Sequence, residues 1–152
     1  MNIKHILKTR ENFINLLNSL SLEQINTIPE GFNNNIAWNF GHSIVTQQIL
    51  CYKLSGLPLL IDEELVEKFR KGTKPESPIT EKELENLKII ALSSLESLKN
   101  DLVIDSFKTF QEYTTSFGIT LKNVNEAINF DGIHEGMHLG IAMAMKRTLK
   151  QQ

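Results

Sequence analysis

Apolar residues recur at three- and four-residue steps along four stretches of this chain, and each stretch is bounded by residues that start or stop helices. Ile3, Ile6, Leu7, Phe13, Ile14, Leu17 and Leu20 keep that period and predict a first helix over residues 2–19. Ser21, with Gln24 three residues on, has the capping-box pattern and predicts a short extra turn before Pro29 and Gly31. Asn33, Asn34 and Asn35 offer cap side chains to a second helix that should continue to about Leu54, where Gly56 and Pro58 end it. Thr80 and Glu83 form another capping box before a third helix, whose stripe is Leu84, Leu87, Ala91, Leu95, Leu98 and Leu102. Asn123, followed by Glu126, opens a last helix expected to reach about Lys150.

The connections read differently. Residues 57–79 carry Pro58, Pro75 and Pro78 and the charged run 62–71, which fits a crossover holding one short helix with a solvated face. Residues 105–122 mix Phe107, Phe110, Tyr113 and Phe117 with Thr and Ser, and Gly118 to Leu121 resembles an extended piece. This segment should cross the bundle irregularly and close one end of it. The expected fold is therefore all-α, a four-helix bundle with a long crossover connection, in one domain spanning residues 1–152.

Composition narrows the function. At 152 residues and 41% hydrophobic content the chain can bury one substantial core. Its 16 basic and 18 acidic residues are interspersed, giving a net charge of -2, and no basic patch marks a nucleic-acid partner. No apolar run approaches a membrane span and the N-terminal residues do not resemble a signal peptide, so a cytoplasmic protein is expected. Cys51 is the single cysteine, which excludes an intrachain disulfide and a multi-cysteine metal cluster. Nine residues after His42, it lies about half a turn away around a continuous helix and reads as a buried structural thiol.

The candidate chemistry lies in the histidines. His134 and His138 are four residues apart, about 40° around a helix axis, and can grip one ion together. They share a stripe with Ala127, Asp131, Ile141 and Met145, the face a helix would bury. On the second helix His42 falls in the stripe Trp38, Val45, Ile49 and Tyr52, so a third imidazole also faces inward, with Trp38 beside it. His5, on the first helix, reads as surface. Three histidines leave a coordination position open, the feature of catalytic rather than structural sites. Neutral imidazole suits zinc, nickel, copper or iron; zinc or nickel is the first expectation, with iron and manganese behind.

His134-Glu135-Gly136-Met137-His138 also matches H-E-x-x-H, in which Glu135 would be the general base of a metalloprotease. That reading needs a further ligand downstream, and residues 139–152 contain no His, Asp or Glu. Asp131, one turn before His134, is a candidate for orienting a ligand imidazole, or simply a helix-surface carboxylate.

Asn35-Ile36-Ala37-Trp38-Asn39-Phe40-Gly41-His42, Gly56-Leu57-Pro58, Phe117-Gly118-Ile119-Thr120 and His134-Glu135-Gly136-Met137-His138-Leu139-Gly140 together resemble the DinB-like (DinB/YfiT) superfamily of metal-binding four-helix bundles. The resemblance implies a triad of His42, His134 and His138 on one divalent ion, and frequently a homodimer. It also implies kinship with transferases and isomerases that use a low-molecular-weight thiol such as bacillithiol, mycothiol or glutathione. The leading expectation is thus a metal-dependent small-molecule enzyme of the thiol S-transferase kind. A hydrolase using metal-bound water, and a non-catalytic stress-related binding protein braced by its metal, are the alternatives.

Overall fold

Side chains that were expected to cap do so. In the computed structural model, which describes residues 3–149, α1 spans Ile3–Asn18 and α2 Leu22–Asn26, the latter opened by the Ser21–Gln24 capping box. Asn35 caps α3 (Ile36–Cys51) by accepting the Trp38 N–H at 2.8 Å. After Asp62 comes α4 (Glu63–Phe69), and the Thr80–Glu83 box opens α5 (Glu81–Val103). The last helix, α6, spans Val124–Leu149; Asn123 Oδ1 accepts from Glu126 N at 3.0 Å, and the Glu126 carboxylate accepts from Lys122 N. The expected start at residue 2 and end near Lys150 fall outside the described residues.

The second helix is shorter than its sequence suggests. α3 stops at Cys51, and a single 3-10 turn over Lys53–Ser55 carries the chain to Gly56, whose φ of 71° is the left-handed backbone that glycine adopts without strain. Residues 105–122 hold a small antiparallel hairpin, β1 (Tyr113–Thr114) with β2 (Thr120–Leu121), paired Tyr113 to Leu121 and Thr114 to Thr120. Before the hairpin, Gln111 N donates to Leu54 O at 2.6 Å and the Thr109 hydroxyl to Ser55 O at 2.9 Å. The segment therefore does lie across the end of the bundle where α3 exits.

The four long helices touch as a ring in which α6 lies against α1 and α3, and α5 completes it against the same two. Two apolar clusters fill the interior. One joins Phe13 and Leu17 of α1 to Phe40 and Ile44 of α3 and Leu87 of α5; the other joins Leu50, Cys51 and Tyr52 to Leu98, Leu121 and Ile128. α3 is buried on nearly every side, packed by α6, α4, α5 and α2. Its polar residues are consequently inside, where each needs a partner: Ser43 donates to Asn39 O, and the Gln48 side chain accepts Leu60 N of the crossover at 2.8 Å.

Candidate metal centre

α6 and α3 bring the three inward histidines together. His134 and His138 stand one turn apart on α6, and His42 faces them from α3, with its ring centroid 5.1 Å from His134 and 4.8 Å from His138. One ring nitrogen from each lies within 4.8 Å of the others, and all three side chains are buried. This is the one cluster of that kind among the described residues. The fourth histidine, His5, is exposed on α1.

Hydrogen bonds at the outer nitrogens set two of the rings. His42 Nδ1 lies 2.7 Å from Phe69 O. A carbonyl only accepts, so Nδ1 carries the proton and Nε2 is left as a lone pair, with only the Thr46 hydroxyl near it at 3.4 Å. His138 Nδ1 lies 2.7 Å from Asn39 Oδ1. The Asn39 amide is held the right way round because its NH₂ donates to Asn35 O at 2.8 Å, so His138 too is protonated at Nδ1 and bare at Nε2. His134 has no such anchor. Its Nδ1 is buried without a partner, while its Nε2 sits 3.2 Å from His138 Nε2.

That geometry fits a cation. Two nitrogens each about 2.0–2.1 Å from a tetrahedral ion stand about 3.3 Å apart, close to the observed pair. Burial lowers the pKa of all three imidazoles: His134 to about 4, with His42 adding, and His138 to about 3, with both neighbours adding. For His42, burial lowers the value, the Phe69 carbonyl raises it, and Lys71 lowers it again. The rings are neutral at physiological pH, the form that binds metal. Trp38 stacks on His42 at 4.5 Å and 10°, and its indole N–H donates to Thr73 Oγ1 at 2.9 Å. It packs beside His42 as its place on the α3 stripe suggested, and belongs to the apolar core.

The two buried carboxylates of α6 point elsewhere. Glu135 is fully buried and takes Arg10 of α1 through Nε at 2.9 and 3.2 Å and through Nη2 at 2.5 Å. Arg10 also donates to Ala91 O at 2.5 Å and to Ser94 Oγ at 2.9 Å, both on α5. Both Asp131 oxygens lack any donor, and neither carboxylate is hydrogen-bonded to an imidazole among the described residues. Burial, then the Glu135 charge, pushes the Asp131 carboxyl well up. Partners that sequence reasoning missed are Phe69 O and Asn39 on the rings, and Arg10. Asn39 was visible as one of several polar residues of α3, one turn before Ser43; a backbone carbonyl leaves no signal.

A cavity of about 140 Å³ opens beside the triad, lined by His42 and His134, by Ile49, Leu54 and Phe130, and by Tyr113 of the hairpin. No carboxylate lines it, and His138 is not part of its lining. Cys51, completely buried in the second cluster with its thiol pKa pushed up by burial, takes no part.

Comparison with known proteins agrees with the architecture. The chain shares its fold with a conserved protein from Enterococcus faecalis of known crystal structure, with a TM-score of 0.70 at 15% identity over 99% of this chain and 96% of that one. No curated protein matches it in sequence. The sequence profile of the DinB superfamily matches residues 5–142, a span that takes in His42, His134 and His138, and the chain belongs to that superfamily.

Proposed function

We propose that this protein binds one divalent metal ion through His42, His134 and His138 and uses it in a small-molecule reaction of the thiol-transferase kind. The observation that carries the reading is a set of three buried, neutral imidazoles whose nitrogens converge at the wall of a cavity. A brace of purely structural value needs no adjoining space, whereas a reacting centre does. A divalent ion held there supplies a Lewis-acidic centre that favours the thiolate form of a bound thiol.

The protein's own contributions follow from its contacts. Phe69 O and Asn39 Oδ1 fix the His42 and His138 tautomers, so that lone pairs already face inward. Ile49, Leu54 and Phe130 present an apolar wall that keeps water from a reactive sulfur. Glu135 speaks against the hydrolase and metalloprotease readings: its carboxylate is committed to Arg10, and no other carboxylate reaches the cavity to activate a water.

The test is metal content per chain of untagged protein for wild type, His42→Ala and His5→Ala, followed by consumption of a small electrophile with and without added thiol. Near-stoichiometric metal in wild type and His5→Ala, lost in His42→Ala, together with thiol-dependent turnover that is lost with it, is expected. A folded wild type that cannot be loaded with zinc or nickel overturns the metal site. Metal-dependent ester hydrolysis without thiol replaces the transferase reading with the hydrolase one.

A further inference from the structure

The cavity beside the triad has one formally charged residue in its lining, and the backbone that carries it is held in place. Lys71 lines the pocket, and the segment carrying it is tied to α3 on both sides. Two residues earlier, Phe69 O accepts from His42; two residues later, Thr73 Oγ1 accepts from the Trp38 indole at 2.9 Å and lies 2.8 Å from Arg70 O. The Phe69 ring packs so closely on Gly41 that a Cβ there would fall 2.6 Å from it. The two cations that precede it are paired: Lys68 with Glu83 at 2.7 Å and Arg70 with Glu67 at 2.9 Å. Lys71 has no carboxylate or hydrogen-bond partner among the described residues, and its charge is felt at His42.

An unpaired cation at the mouth of a small, mostly apolar pocket without any carboxylate selects for negative charge on what enters. The apolar wall of Ile49, Leu54 and Phe130 leaves room for a short hydrocarbon body only, since the cavity is about 140 Å³. We infer that Lys71 is the specificity residue of this pocket, and that the molecule it admits is small and anionic, a carboxylate on a short apolar body. This rests on the reading of the triad as a metal site with a small-molecule ligand. Lys71 is a point-charge partner on a flexible stem, suited to a carboxylate that need not be gripped in one orientation.

The test uses cobalt-loaded protein, whose visible spectrum reports a ligand arriving at the metal, titrated with 3-mercaptopropionate and with its methyl ester. The two probes share sulfur and chain and differ in charge. Wild type should bind the acid at least about tenfold more tightly than the ester, the preference shrinking as salt is raised. Lys71→Met should lose the preference through weaker binding of the acid alone, and Lys71→Arg should keep it. Lys71 is exposed and makes no internal bond, so both variants retain the fold. Equal affinities for acid and ester in wild type, or a preference that survives in Lys71→Met, overturn the inference while leaving the metal site standing. Failure of wild type to take up cobalt removes the metal site, and this inference with it.

Discussion

His134 and Asp131 lie three residues apart on α6 and respond to pH in opposite directions. The folded pKa values of His134 and His138, about 4 and about 3, lie below the ordinary 6.5. The unfolded chain therefore binds more protons between those values, and the stability the neutral rings contribute is complete above pH 6.5 and lost as pH falls toward 4 and 3. Each ring can remove up to about 1.4 kcal/mol per pH unit in that window. Asp131 is raised above its ordinary 3.8, so its contribution is complete below that value and is lost as pH rises through and beyond it. In metal-free protein, denaturant titrations from pH 7 to 4 should show falling stability in wild type. Asp131→Asn should start higher than wild type at pH 7, because an amide does not carry the cost of keeping a carboxyl neutral, and the advantage should vanish near pH 4. An Asp131→Asn variant less stable than wild type at pH 7 would mean that the buried carboxyl is ionised.

At the scale of elements, the joint between α3 and the start of the α4–α5 connection governs the site. Gly41 lets Phe69 lie against α3, and the same residue's carbonyl orients His42. Gly41→Ala should push the ring away, costing about 1–3 kcal/mol in strain and repacking and weakening zinc retention against a chelator. Gly136, with open space around its Cβ position, is the contrast: Gly136→Ala should stabilise by up to about 1 kcal/mol through helix propensity and leave zinc retention unchanged. Thermal melts and chelator competition on the two variants decide the matter, and equal behaviour would show that the Phe69 contact does not bear on the site. The sequence made the helices themselves legible because caps and apolar periods are local: Ser21, Asn35, Thr80 and Asn123 all act at the starts they suggested. It made the inward histidines legible for the same reason, since His42, His134 and His138 fall on apolar stripes. What it left dark depends on tertiary placement. Neither the Phe69 carbonyl on His42 nor Lys71 at the cavity mouth follows from any period, and the early end of α3 at Cys51 reflects a 3-10 turn with the same local residues.

For the whole molecule the decisive side chain is Arg10. It sits on the apolar stripe of α1 between Ile6 and Phe13, a charged residue at a core position, and that misfit was the one sequence sign that another helix must answer it. The answer is Glu135 of α6, with Ala91 O and Ser94 of α5, so one guanidinium joins three of the four long helices. Burying the pair gains little over an apolar substitute, but breaking it leaves a stranded charge. Arg10→Met should cost about 3–5 kcal/mol, and Arg10→Met with Glu135→Leu should recover most of that, because neither charge then remains to be desolvated. The same pair of variants separates scaffold from chemistry. Glu135 follows His134 in sequence but lies about 100° further around α6, where its carboxylate meets Arg10 and not the triad, so the double variant should keep its metal and its thiol-dependent turnover once stability is restored. Turnover that fell by orders of magnitude in a folded, metal-loaded double variant would return Glu135 to the reaction as its base. Turnover within a few-fold of wild type would make the Arg10–Glu135 pair a register lock, holding α1 and α5 against α6 so that the adjacent histidines meet His42.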